Sequence, residues 1–147
     1  NNVFLESTNL YAKRIMSMGK GILPDWMVEK AAETWEDKEK NFKMYMDKGV
    51  KISFGSDCGV PFLKQGDNAL ELAMFVELGM SPMDAIVAAT RTAAEAIGID
   101  DKVGTLEVGK LADIILVDGN PLSDISILSK EEKIKMVMKD GNVVVTR

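Results

Sequence analysis

The chain has 147 residues, 46% hydrophobic and 28% charged, with 23 acidic against 18 basic side chains and a net charge of −5. That length suits one ordinary domain and is too short for a complete large barrel, and the composition excludes a disordered chain. The bases are scattered, which excludes a nucleic-acid footprint, and no apolar run approaches the about 18 residues of a membrane span.

Cys58 is the one cysteine, which excludes an internal disulfide and fits a reducing, cytoplasmic setting. Histidine is absent. The sequence opens Asn1-Asn2-Val3 with neither a methionine nor an apolar leader, and is expected to be a piece of a longer cytoplasmic protein.

Residues 1–23 mix polar and apolar positions around Gly19 and Gly21 and read as a loop with at most a short helix. Pro24 suits the first position of a helix, because its missing N–H is not needed there. From Asp25 to Lys48, Val28, Ala31, Trp35, Phe42 and Tyr45 recur at helical spacing, and Gly49 follows as a terminator. Val50, Ile52 and Phe54 then alternate with Lys51, Ser53 and Gly55, the period of a short strand. Asp57 has the parity of Lys51 and Ser53. If the strand geometry persists that far, it faces away from the apolar side.

After the loop from Cys58 to Gly66, Asp67 is a plausible N-cap for a helix carrying Leu70, Ala73, Met74 and Leu78, which Gly79 ends. Ser81-Pro82-Met83-Asp84 opens the next helix with the pattern of a capping box. Its expected buried stripe is Ala85, Ile86, Ala89, Ala93 and Ile97, with Gly98 as its stop. Beyond residue 100 the pattern turns to β-structure. Ile114 to Val117 reads as a strand, and Ile134 to Met138 with Val143 to Val145 reads as a hairpin around Asp140-Gly141.

The ordered series "GVKISFGSDCG", "ALELAMFVELGMSPMDAIVAATRTAAEAIGI", "VGTLEVGKLADIILVDGNPL" and "MKDGNVVV" resembles the C-terminal portion of a metal-dependent amidohydrolase. The nearest subgroup is the imidazolonepropionase-like and Xaa-Pro dipeptidase-like hydrolases, over about residues 24–147. The resemblance implies an α/β fold: the C-terminal part of a (β/α)8 TIM-type barrel within residues 1–100, and part of a small β-sandwich within 101–147. It also implies hydrolysis of an amide or cyclic-amide C–N bond, in a dipeptide or an imidazolone-like ring, by water activated on a divalent metal, zinc by preference.

Asp57 matches the family's final-strand aspartate, a metal ligand and the base that shuttles a proton from water to the leaving amine. The family's histidine ligands have no counterpart here. One carboxylate does not hold catalytic zinc, which takes about three protein donors plus water. Asp57's partners are therefore expected outside this chain, which alone should be inactive.

Plainer readings stand beside these. Ser-Asp-Cys-Gly is also ordinary turn composition, and Cys58 without a histidine to activate it reads as a structural thiol. Lys51 and Ser53 face either the barrel interior or the surface. Thr90-Arg91-Thr92 suits helix packing better than substrate contact. Met16, Met18, Met44 and Met46 read as core filler, and Asp113 as a turn or ladder partner. The rival to a catalytic portion is a non-catalytic assembly module that completes a barrel in trans or self-associates. Expected partners are a small amide substrate and either a second copy or the missing N-terminal part, with neither nucleic acid nor membrane.

Overall fold

The structure is a computed structural model that describes residues 3–19 and 21–147. Strand β1 (Phe4–Ser7) leads into α1 (Leu10–Met18) and α2 (Asp25–Asp47), and the chain returns as β2 (Lys51–Phe54). The two strands pair in parallel, with Leu5 opposite Ile52 and Ser7 opposite Phe54. A parallel pair needs a long crossover, and the two helices provide it.

Of the loop with a short helix expected over residues 1–23, α1 is the helix and β1 replaces part of the loop, while Asn1, Asn2 and Lys20 lie outside the described residues. Phe4–Ser7 is too short to alternate visibly, and its strand character comes from pairing with β2. In α1, Leu10, Ala12 and Ile15 are buried, the last two at helical spacing. The chain therefore carries two adjacent parallel strands, where the sequence pointed to one.

Helix α2 buries Ala31, Trp35 and Phe42, as its periodicity requires. Pro24 precedes it in an extended conformation and occupies the cap instead of the first turn. Met16 and Met46 pack on the core, whereas Met44 is exposed.

Helix α3 (Leu70–Glu77) begins three residues after Asp67, whose carboxylate does not cap it but pairs with Arg14 of α1 at 2.9 Å. Of the expected Leu70, Ala73, Met74 and Leu78, Leu78 is buried and Ala73 and Met74 pack against the core in part, while Glu71, Leu72 and Phe75 are the buried positions of α3 itself. Fully buried Phe75 anchors the core, with its ring centroid 5.3 Å from Phe42 and 6.4 Å from Phe54.

Helix α4 (Pro82–Val87) starts as the capping box predicts, with the Asp84 N–H donating to Ser81 Oγ at 3.1 Å. The helix then widens into a π-helical turn, Ala88–Thr92, before continuing as α5 (Ala93–Ile97). Ala85 and Ala94 are both buried, while Ile97 is 69% exposed, which corrects the expected stripe. At about 3.6 residues per turn, positions nine apart fall on opposite faces of a regular helix. The π-turn changes that phase, and the Gly104 loop covers Ala94. A Cβ at Gly104 would stand 2.8 Å from that of Ala94.

The remainder is an antiparallel sheet of β3 (Ile114–Val117), β4 (Ile134–Lys139) and β5 (Asn142–Thr146), in the order β3-β4-β5. Asp140 and Gly141 have φ of 50° and 75°, the two-residue turn whose twist matches the strands it joins. Asp113 accepts from the Asp140 N–H at 2.8 Å and pairs with Lys139, so of the two roles expected it takes that of turn partner. A 3-10 turn, Ile125–Ser129, drops Ile125 into the same core as Trp35 and Phe75. Among the described residues no helix is long and apolar enough to cross a membrane.

Candidate active site at the ends of the parallel strands

Alternation along β2 places Ile52 and Phe54 in the core and leaves Lys51, Ser53 and Gly55 on the other face. On that second face Lys51 pairs with Glu95 at 2.8 Å and lies 5.0 Å over the Phe4 ring. The Lys51 hydrogen bond holds the Glu95 carboxyl below its usual range. Lys51 is thus a surface ion pair, while Ser53 is buried.

Gly55 continues the face one residue beyond β2, and its N–H donates to the Ser7 carbonyl at 3.2 Å. A Cβ there would stand 2.6 Å from Glu6 Cγ and 2.9 Å from Thr8 Cγ2. Glycine there leaves room for the Glu6 and Thr8 side chains beside the strand end.

Asp57 lies three residues past the end of β2 and is exposed. Its φ of 50° is left-handed, so the strand alternation has ended and the local turn, not parity, sets its direction. The turn is well tied. Val60 N–H donates to the Asp57 carbonyl at 3.3 Å, and Gly59 N–H to that of Leu63 at 3.0 Å. Leu63 is buried and pins the loop. Cys58 Sγ donates to the Lys64 carbonyl at 3.4 Å, a structural use of the thiol.

The Thr90-Arg91-Thr92 segment belongs to the π-turn and packs against the Gly104 loop, and Thr90 Oγ1 donates to the Ile86 carbonyl at 2.7 Å. Its contacts are those of helix packing.

One residue of the region was not anticipated. Glu71 is fully buried, yet both carboxylate oxygens are occupied, accepting from the Asn9 and Leu10 N–H groups at 2.6 Å each. Burial pushes its pKa up to about 7, against the opposing pull of those backbone hydrogen bonds. The sequence holds a signal for it: Glu71 shares a helical face with Phe75 and Leu78, so a carboxylate stands on a core stripe.

Among the described residues no group of three or more His, Cys, Asp or Glu side chains comes together in a way that would hold a metal ion. Asp57 offers one donor, and these residues alone do not fit a catalytic metal centre.

Two parallel strands joined by a helical crossover, with a carboxylate just past the C-terminal end of the second, match the arrangement of a β/α unit in a barrel. The chain belongs to the amidohydrolase family, whose model, "Amidohydrolase family", matches residues 1–144. It is 39% identical over 113 residues to adenine deaminase 4 of Rhizobium meliloti, covering 71% of this chain and 18% of that protein. Against imidazolonepropionase of Brevibacillus brevis the identity is 32% over 108 residues, covering 71% and 25%. The crystal structure of a Xaa-Pro dipeptidase with methionine bound in its active site superposes with a TM-score of 0.83 at 38% identity, covering 96% of this chain and 34% of that one. The fold is therefore part of an amidohydrolase TIM barrel, and the chain spans about a third or less of these relatives.

Proposed function

We propose that the protein carrying this chain hydrolyses an amide or cyclic-amide C–N bond, with Asp57 as the carboxylate that moves the proton. The observation that carries the reading is the position of Asp57 just beyond β2, on a tied turn, in a chain of the amidohydrolase family. In this role ionised Asp57 takes a proton from the attacking water as the new C–O bond forms. It returns that proton to the leaving nitrogen as the C–N bond breaks, which restores the carboxylate. A dipeptide of the Xaa-Pro type and an imidazolone-like ring are the substrate classes we favour, and the names of two relatives support them.

A divalent metal, with zinc our preference, would need donors from outside these residues, with Asp57 as one ligand. For the 147-residue chain by itself, the absence of histidine favours a second reading. On that reading it is a non-catalytic module that completes a barrel in trans or self-associates.

The test uses the full-length protein with an Xaa-Pro dipeptide and an imidazolone as substrates. Asp57→Asn is expected to keep the fold and to lower kcat by at least about 10²-fold, the scale of a lost proton shuttle. Near wild-type turnover in that variant would end the assignment.

A further inference from the structure

We propose that Glu71 is a positioning residue: it clamps the Ser7–Asn9 turn at the strand ends and thereby aligns the rim that carries Asp57. The inference rests on the reading of Asp57 given above.

The clamp is built from three sides. From α3, Glu71 Oε1 and Oε2 take the N–H groups of Asn9 and Leu10 at 2.6 Å each. These amides open α1, where no intrahelical acceptor exists and the helix dipole favours a carboxylate. From α2, Lys38 Nζ donates to the Thr8 carbonyl at 3.0 Å. From β2, Gly55 N–H donates to the Ser7 carbonyl at 3.2 Å, and Asn9 Nδ2 closes the turn on Ser7 Oγ at 2.7 Å. All three residues of the turn are fixed, and the last link runs through Gly55, two positions before Asp57.

Here a fully buried carboxylate bridges two helices, α3 and α1, and desolvation sets its pKa near 7. Such a group is costly to bury, and its placement at the functional rim is where perturbed acids concentrate. In Glu71→Gln, one acceptor becomes an NH2 group facing a backbone N–H, so one of the two bonds is lost.

The experiment compares the full-length wild type with Glu71→Gln, Lys38→Met and Asp57→Asn. It measures hydrogen exchange from Glu6 to Ala12, and kinetics on an Xaa-Pro dipeptide and an imidazolone. Glu71→Gln is expected to speed exchange of Asn9 and Leu10 about tenfold while the β3–β5 sheet is unchanged, and to lower kcat about tenfold with KM within about twofold. Lys38→Met is expected to do the same more weakly, and it carries the test if Glu71→Gln does not fold. Unchanged exchange in both variants overturns the clamp, and faster exchange with unchanged kcat overturns its link to Asp57. Full turnover in Asp57→Asn would sink the proposed function instead, whatever the exchange at Asn9 and Leu10.

Discussion

Gly55 and Ser7 join the ends of the two parallel strands: the Gly55 N–H donates to the Ser7 carbonyl at 3.2 Å, and the bare Cα of Gly55 lets Glu6 and Thr8 lie against it. A methyl group has no room there, since a Cβ would meet Glu6 Cγ at 2.6 Å and Thr8 Cγ2 at 2.9 Å. Gly55→Ala is therefore expected to displace the Glu6 and Thr8 side chains and lower stability by about 1–3 kcal/mol, the usual cost of overpacking. Denaturant unfolding checks it, and a variant as stable as wild type would mean that the Glu6 and Thr8 side chains move aside freely.

The backbone at Asp57 separates two substitutions. With φ at 50°, asparagine keeps the local conformation, because Asn and Asp tolerate the left-handed region, whereas alanine is strained there. Asp57→Asn and Asp57→Ala should be alike in lost turnover, but alanine should be the less stable by about 1 kcal/mol. Equal melting temperatures would contradict the strain.

Glu71 makes stability depend on pH in a defined direction. Its folded pKa is raised from 4.5 to about 7, so the protonated form is favoured in the folded state. That contribution is complete below about pH 4.5 and is lost as pH rises through about 7. The stability difference between wild type and Glu71→Gln should accordingly fall across this window and then level off. The chain contributes no histidine to the same window, and Asp113, Asp124 and Glu95 are shifted down, out of it. The charged group facing Glu71 is Lys38, which opposes the shift. A difference that rises with pH would contradict the burial argument.

Asp113 should govern the terminal hairpin. It accepts from the Asp140 N–H at 2.8 Å and from Lys139, whose hydrogen bond holds the Asp113 carboxyl below its ordinary range. Asp113→Ala is expected to speed hydrogen exchange around Asp140-Gly141 and to leave β1 and β2 untouched. A change spread over both sheets would show that the two regions unfold as one unit.

The 147-residue chain by itself should show no metal-dependent hydrolysis and should self-associate. Among the described residues β1 and β2 pair only with each other, so each presents an unpaired strand edge. Light scattering and an amide hydrolysis assay with added zinc check the two halves. A monodisperse monomer would defeat the self-association, and zinc-dependent turnover lost in Asp57→Asn would defeat the inactivity.

The sequence by itself determined what local periodicity and turn chemistry control. The 3.6-residue spacing of Ala31, Trp35 and Phe42 fixed α2, the Ser81 cap fixed the start of α4, and Asp140-Gly141 fixed the hairpin. The position of Asp57 beyond a strand was legible for the same reason, because the strand before it alternates. Tertiary structure decided the rest. Phe4–Ser7 is a strand because β2 offers it a parallel partner, and the π-turn and the Gly104 loop together set which residues of the last helix are buried. Glu71 is buried because two orphan amides of α1 lie opposite it, 61 and 62 residues away in the chain. The stripe shared with Phe75 and Leu78 marks Glu71 as a core position, but which amides satisfy it at that separation is set by packing.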